Sequence, residues 1–145
     1  MIYAFLILLH VLAASVWVGG HLILSLSVLP QALKTKNVKA ITQFESFFEK
    51  IGIPALLIQV VTGLMLIHSR LVFPLVWHDR SNLLILMKLG LLLITVLLAL
   101  HARLKLIPNL NKKTLPLLGL HIAAVTIVGI LFVVAGLSFR MTLFF

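Results

Sequence analysis

Residues 2–29 read IYAFLILLHVLAASVWVGGHLILSLSVL and contain no Asp, Glu, Lys or Arg. A helix crosses a bilayer with about 20 apolar residues, within a range of roughly 17–25. This run is longer than that. It lacks the positive n-region of a cleaved secretory signal, and His10 interrupts its apolar core. It therefore reads as a retained first helix. Three more runs qualify, so the spans are placed at residues 2–29, 51–68, 83–101 and 115–139. The fold expected is all-α: an integral membrane four-helix bundle, one domain over residues 1–145. The composition agrees, with 62% hydrophobic and 10% charged residues. Soluble domains average about half apolar and a quarter charged.

The net charge of +9 does not mark a nucleic-acid binder, because the basic residues flank the spans. Lys34, Lys36, Lys39 and Lys50 lie in the first loop. Arg103, Lys105, Lys112 and Lys113 lie in the third. These loops share one side of the membrane, and the other side has only Arg70, Arg80 and Arg140. The positive-inside bias puts the first and third loops in the cytoplasm and both termini outside. Within the first loop, Ile41, Phe44, Phe48 and Ile51 recur at helical spacing, with Glu45 and Glu49 one turn apart. Residues 38–50 are thus either an interfacial helix or an extension of the second span, their carboxylates partnering Lys50 or Arg103. The five prolines are expected near span ends.

The polar residues inside the spans fall into two layers. His10 and Lys88 sit at matching depth in the outer half, with His68 and His78 at its rim. His21, His101 and His121 share the inner half. His10, Ala14, Trp17 and His21 follow one helical stripe, and the two imidazoles on it are about 16 Å apart along the axis. Gly19 and Gly20 leave room there for another backbone or a flat ligand. Ionisable groups within a membrane face the bundle interior and mark function by default. Gln59, Thr62 and Gly63 form the polar face of the second helix. Lys88 and His101, 13 positions apart, differ by about 140° around their helix, so both cannot point straight at one axis.

Imidazoles on facing helices suit haem iron, and on ligand chemistry alone haem b, one or two copies, is favoured over copper. The chain has no Cys, and Met65 and Met87 are too scattered for the soft ligands that Cu(I) prefers. The expectation is a redox centre moving electrons across the membrane or to a quinone or another redox partner. His21 and His121 form the expected axial pair, with His101 as substitute. His10 and Lys88 serve the outer layer, and Trp17 packs between the layers. A copper transporter or copper-binding protein would use His10, His21, His101 and His121 as ligands. No catalytic residue is assigned, since Glu45, Glu49 and Asp79 lie outside the spans and no hydrolase motif is present. The lipid bilayer is the one certain partner, and a homodimer is compatible with so small a bundle.

Four stretches resemble a known family. HVLAASVWVGG from His10, GIPALLIQVVTG from Gly52, MKLGLLLITVLLALHARLKLIP from Met87 and LGLHIAAVTIVG from Leu118 are similar to small members of the CopD family, named for copper resistance. The resemblance implies a four-helix bundle in the bacterial inner membrane and a link to copper handling. His10 with Trp17, and Lys88 with Leu89, also resemble the pattern of HemJ-type membrane protoporphyrinogen oxidases. That family continues after the tryptophan with an aromatic-rich stretch and an arginine, where this chain has VGGHLILSLSVLP. This second likeness implies a haem or porphyrin pocket and, more distantly, protoporphyrinogen IX oxidation.

Overall fold

The first apolar run folds as one rod that changes pitch once. In the computed structural model, which describes residues 1–68 and 80–139, α1 spans Ile2–Ile23. A π-turn over Leu24–Val28 follows, and α2 continues over Leu29–Thr35. The Leu29 N–H bonds back to the Leu24 carbonyl, five residues away. Pro30 explains the widening. It has no N–H, and its ring would crowd the carbonyl four residues back, so the preceding turn opens. The same device recurs at the end of α4 (Arg80–His101). There a π-turn covers Ala102–Leu106, the Ile107 N–H bonds to the Ala102 carbonyl at 2.8 Å, and Pro108 follows. Neither π-turn is readable from apolar periodicity.

The rod ends at Lys36, whose φ of 52° is left-handed. The N–H groups of Lys36 and Asn37 both return to the Ala32 carbonyl, closing the helix end. Asn37 Oδ1 then accepts from the Ala40 N–H at 3.3 Å and starts the next helix. That helix, α3, is continuous over Val38–His68 and carries Pro54 inside it. Residues 38–50 are therefore an extension of the second span. The final helix, α5, covers Leu115–Ser138. Pro30 and Pro54 thus lie within helices, whereas Pro108 and Pro116 keep to helix ends. His78, Asp79, Arg70 and Arg140 lie outside the described residues.

Among the described residues, four helical segments are long and apolar enough to cross a membrane: Ile2–Thr35, Val38–His68, Arg80–Leu106 and Leu115–Ser138. The chain is a multi-pass membrane protein with an all-α four-helix bundle. Around the bundle α1 packs along α3 and α5, and α4 packs on α5. No extended contact joins α3 to α4, so the bundle is parted along that side.

Two kinds of packing hold it. Inside the bilayer, lipid is as apolar as leucine, so close approach of small residues does the work. Val18 sits against Gly129, where a Cβ would stand 3.3 Å from its Cγ2. At the lysine-rich end the helices leave the apolar layer, and the hydrophobic effect acts. There Leu24, Leu29, Ala32, Ile41, Leu106, Leu115, Leu118 and Ile122 form one buried cluster. Each full Leu or Ile burial there contributes roughly 1.5–3 kcal/mol. Exposed apolar residues such as Leu57, Val61 and Leu64 on α3 and Leu93 and Leu97 on α4 face lipid.

Candidate functional site

His10, His21, His101 and His121 spend their Nδ1 in the same way. His21 Nδ1 lies 2.9 Å from the Trp17 carbonyl, and His121 Nδ1 lies 3.1 Å from the Leu117 carbonyl. A carbonyl can only accept, so in both rings Nδ1 carries the proton and Nε2 keeps a lone pair. His10 Nδ1 is 3.0 Å from Thr62 Oγ1. The Thr62 hydroxyl donates to the Ile58 carbonyl at 2.6 Å, so its oxygen accepts from His10 Nδ1–H. His101 Nδ1 meets His121 Nε2 at 2.8 Å, with the rings stacked at 4.8 Å between centroids. Since His121 Nε2 is the acceptor, His101 donates. In all four rings Nε2 is thus the basic nitrogen, the arrangement metal-ligating histidines adopt, and that of His121 accepts from His101.

The two layers take different forms. Toward the termini, the His10 ring lies on Gly63, where a Cβ would stand 3.2 Å from His10 Cε1. Lys88 is within electrostatic reach of His10. Its Nζ lies over the Phe139 ring, 5.2 Å from the centroid, beside the space left by Gly136. Buried Gln59 Oε1 has no hydrogen-bond partner there. His68 closes α3 and is exposed. Although Lys88 and His101 lie on different faces of α4, both reach α5. Lys88 does so with its long arm, and His101 directly onto His121.

At the lysine-rich end, a cavity of about 240 Å³ opens where α3 and α4 part. Trp17, His21, Glu45, Arg103 and His121 line its polar part, and Leu56, Leu98 and Val125 its apolar part. Arg103 Nη1 is paired with Glu49 Oε2, which ties the π-turn after α4 to the extension of α3. Val38–Lys50 carries Lys39, Glu45, Glu49 and Lys50 and lies outside the span proper. Burial pushes the Glu45 carboxyl above its usual range, the Glu49 charge adds to this, and Arg103 opposes it. Trp17 packs on His21 at 4.5 Å between centroids.

Phe48, which sequence reading placed on a helical stripe without a part in the site, lies at its centre. Its ring stands edge-on to His21, 5.4 Å between centroids at 86°, and stacks on Phe44 at 5.8 Å. A Cβ at Gly20 would overlap the Phe48 ring, and one at Gly52 would come within 2.8 Å of it. The flat group that Gly20 accommodates is therefore a side chain of this protein. Gly20 and Gly52 were the available signal. Gly19, its neighbour, faces open space. His21 and His121 line one cavity. His121 Nε2 is taken by His101, and the volume is below the roughly 300–1,000 Å³ of pockets for drug-sized ligands. Among the described residues, no three His, Asp or Glu side chains converge to hold a metal ion.

These features define a polytopic helical membrane protein with paired imidazoles at one end. The family model for copper resistance protein D, CopD, matches residues 42–139, about two thirds of the chain. The chain belongs to the CopD family. The matched segment holds His101, His121, Phe48, Glu45 and Glu49 and begins after α1, which carries His10, Trp17 and His21. No curated protein matches significantly, and no solved structure does.

Proposed function

We propose that this CopD-family protein handles copper ions as cargo, in the bacterial inner membrane, with the cavity at its lysine-rich end as the binding station. The observation that carries the reading is the shared tautomer: His21 and His121 each anchor Nδ1–H on a carbonyl of their own helix and offer Nε2. Metal-binding histidines are oriented in this way. With His101 in its other tautomer, the proton moved to Nε2, its Nδ1 and His121 Nε2, 2.8 Å apart, suit an ion as well as a proton. Two nitrogens so spaced can each lie roughly 2.0–2.1 Å, the usual metal–imidazole distance, from one ion. They would occupy neighbouring corners of the tetragonal N,O geometry of Cu(II). Glu45, on the cavity wall, supplies negative charge.

The small number of converging ligands fits cargo better than a resident centre, since a transported ion must also leave. By the positive-inside bias the station faces the cytoplasm. His10, about three turns away along the same helix, would be a second station. Haem-based electron transfer, to quinone or otherwise, draws no support from this cavity, and porphyrinogen oxidation none from the comparisons.

The test is one purified detergent sample of wild type, His21→Ala and His121→Ala. Each is titrated with Cu(II) by calorimetry and scanned for visible absorbance, oxidised and dithionite-reduced. Saturable copper binding that weakens at least tenfold in either variant, in a colourless protein, is the expected result. A sharp reduced haem band with stoichiometric iron would overturn it.

A further inference from the structure

We infer that Phe48 is the specificity-determining residue of this cavity: its ring fills the slot beside His21 and keeps a planar macrocycle off that imidazole. What the slot then admits rests on the copper reading above, but the exclusion stands on packing alone. Four observations converge on the ring. Gly20 on α1 and Gly52 on α3 both lack the Cβ that would strike it. Substitution at either glycine meets the same side chain, so the two helices leave one flat slot between them. Phe44 stacks on the ring from one turn away on the same helix, 24° from parallel. Trp17 closes a further side, 6.1 Å between centroids. His21 stands perpendicular to it, the orientation that a flat group held through an imidazole would take.

The consequence for chemistry is a matter of size. With the ring in place, the space next to His21 is about 240 Å³, shared with Glu45, Arg103 and His121. That volume is below the roughly 300–1,000 Å³ of pockets for drug-sized ligands. Without the ring, the slot joins the cavity. The opened space has one basic imidazole on its wall and the apolar Leu56, Leu98 and Val125 beyond it, which are the requirements of a haem-sized guest.

The experiment titrates ferric protoporphyrin IX into detergent-purified wild type, Phe48→Ala, and Phe48→Ala with His21→Ala, followed by visible absorbance. Cu(II) is titrated in parallel by calorimetry. Phe48→Ala is expected to bind the porphyrin at least tenfold more tightly than wild type, with a ligand-shifted Soret band that the double variant loses. Phe48→Leu keeps apolar bulk without a flat ring. It serves as the second variant if the alanine protein does not elute as one folded species, and the same gain is expected of it. Equal porphyrin binding by wild type through His21 would overturn the inference. So would a folded Phe48 variant that gains none. Absence of copper binding in wild type would count against the copper reading and leave the porphyrin comparison decisive.

Discussion

His101 donates its Nδ1 proton to His121 Nε2 across 2.8 Å, joining α4 to α5 where both leave the apolar part of the bundle. The two rings act as one unit, so their removal should not be additive. His101→Ala and His121→Ala are each expected to weaken Cu(II) binding about tenfold, or about 1.4 kcal/mol. The double variant should be little worse than the weaker single one. Calorimetric affinities for the four proteins check this, and fully additive losses would separate the rings.

Gly20→Ala places a methyl group into the Phe48 ring. Overpacking of this kind costs typically 1–3 kcal/mol, and a lower thermal midpoint in detergent should show it. Adding Phe48→Leu should recover much of the loss, because the obstacle is the ring. Gly19→Ala, with nothing within 4 Å of its Cβ, should leave the midpoint within about 0.5 kcal/mol of wild type.

The Arg103–Glu49 pair is visible in the structure and energetically minor. Its side chains are 56% and 31% exposed, and solvent-screened pairs of this kind contribute about 0.2–1 kcal/mol. A double-mutant cycle with Arg103→Gln and Glu49→Gln should give a coupling energy below about 1 kcal/mol, shrinking further as salt is raised.

Glu45 acts with the opposite sign. Its carboxyl is raised, first by burial and then by Glu49, so the folded protein holds that proton where the unfolded chain has released it. Stability should therefore fall as pH climbs from about 4, the ordinary carboxylate value, through the raised one. Glu45→Gln should flatten that slope. Thermal midpoints of the two proteins across this window check it.

Lys36 is a non-glycine residue at a left-handed helix end. Lys36→Gly removes a clash worth roughly 1–2 kcal/mol, partly offset by added freedom in the unfolded chain. A net gain of about 1 kcal/mol is expected, read as a raised thermal midpoint.

What was legible in the sequence follows from what the bilayer rewards. The spans could be read because their length must match a membrane, and His21, His101 and His121 because imidazoles are conspicuous in apolar runs. Which face of each helix points inward could not be read. Lipid and neighbouring helices are equally apolar, so the sequence carries little contrast between Leu118, which is buried, and Leu117, which is not. Phe48 shows the limit well. Its stripe with Ile41 and Phe44 was evident, but that it would insert between Gly20 and Gly52, from segments 32 residues apart, depends on how α1 meets α3. The same stripe also included Ile51, which turns outward and is 48% exposed.

The two π-turns each precede a proline by the same interval, Leu24–Val28 before Pro30 and Ala102–Leu106 before Pro108. Each wide turn holds one residue more than the i→i−4 ladder needs. The chain thus carries a spare position at the lysine-rich end of its first and third spans. Deleting a single residue such as Ser25 or Leu104, a change that would wreck the register of an ordinary helix, has here a ready-made slot to close. The ends of these two rods are where insertions and deletions could accumulate while the imidazoles above them keep their places.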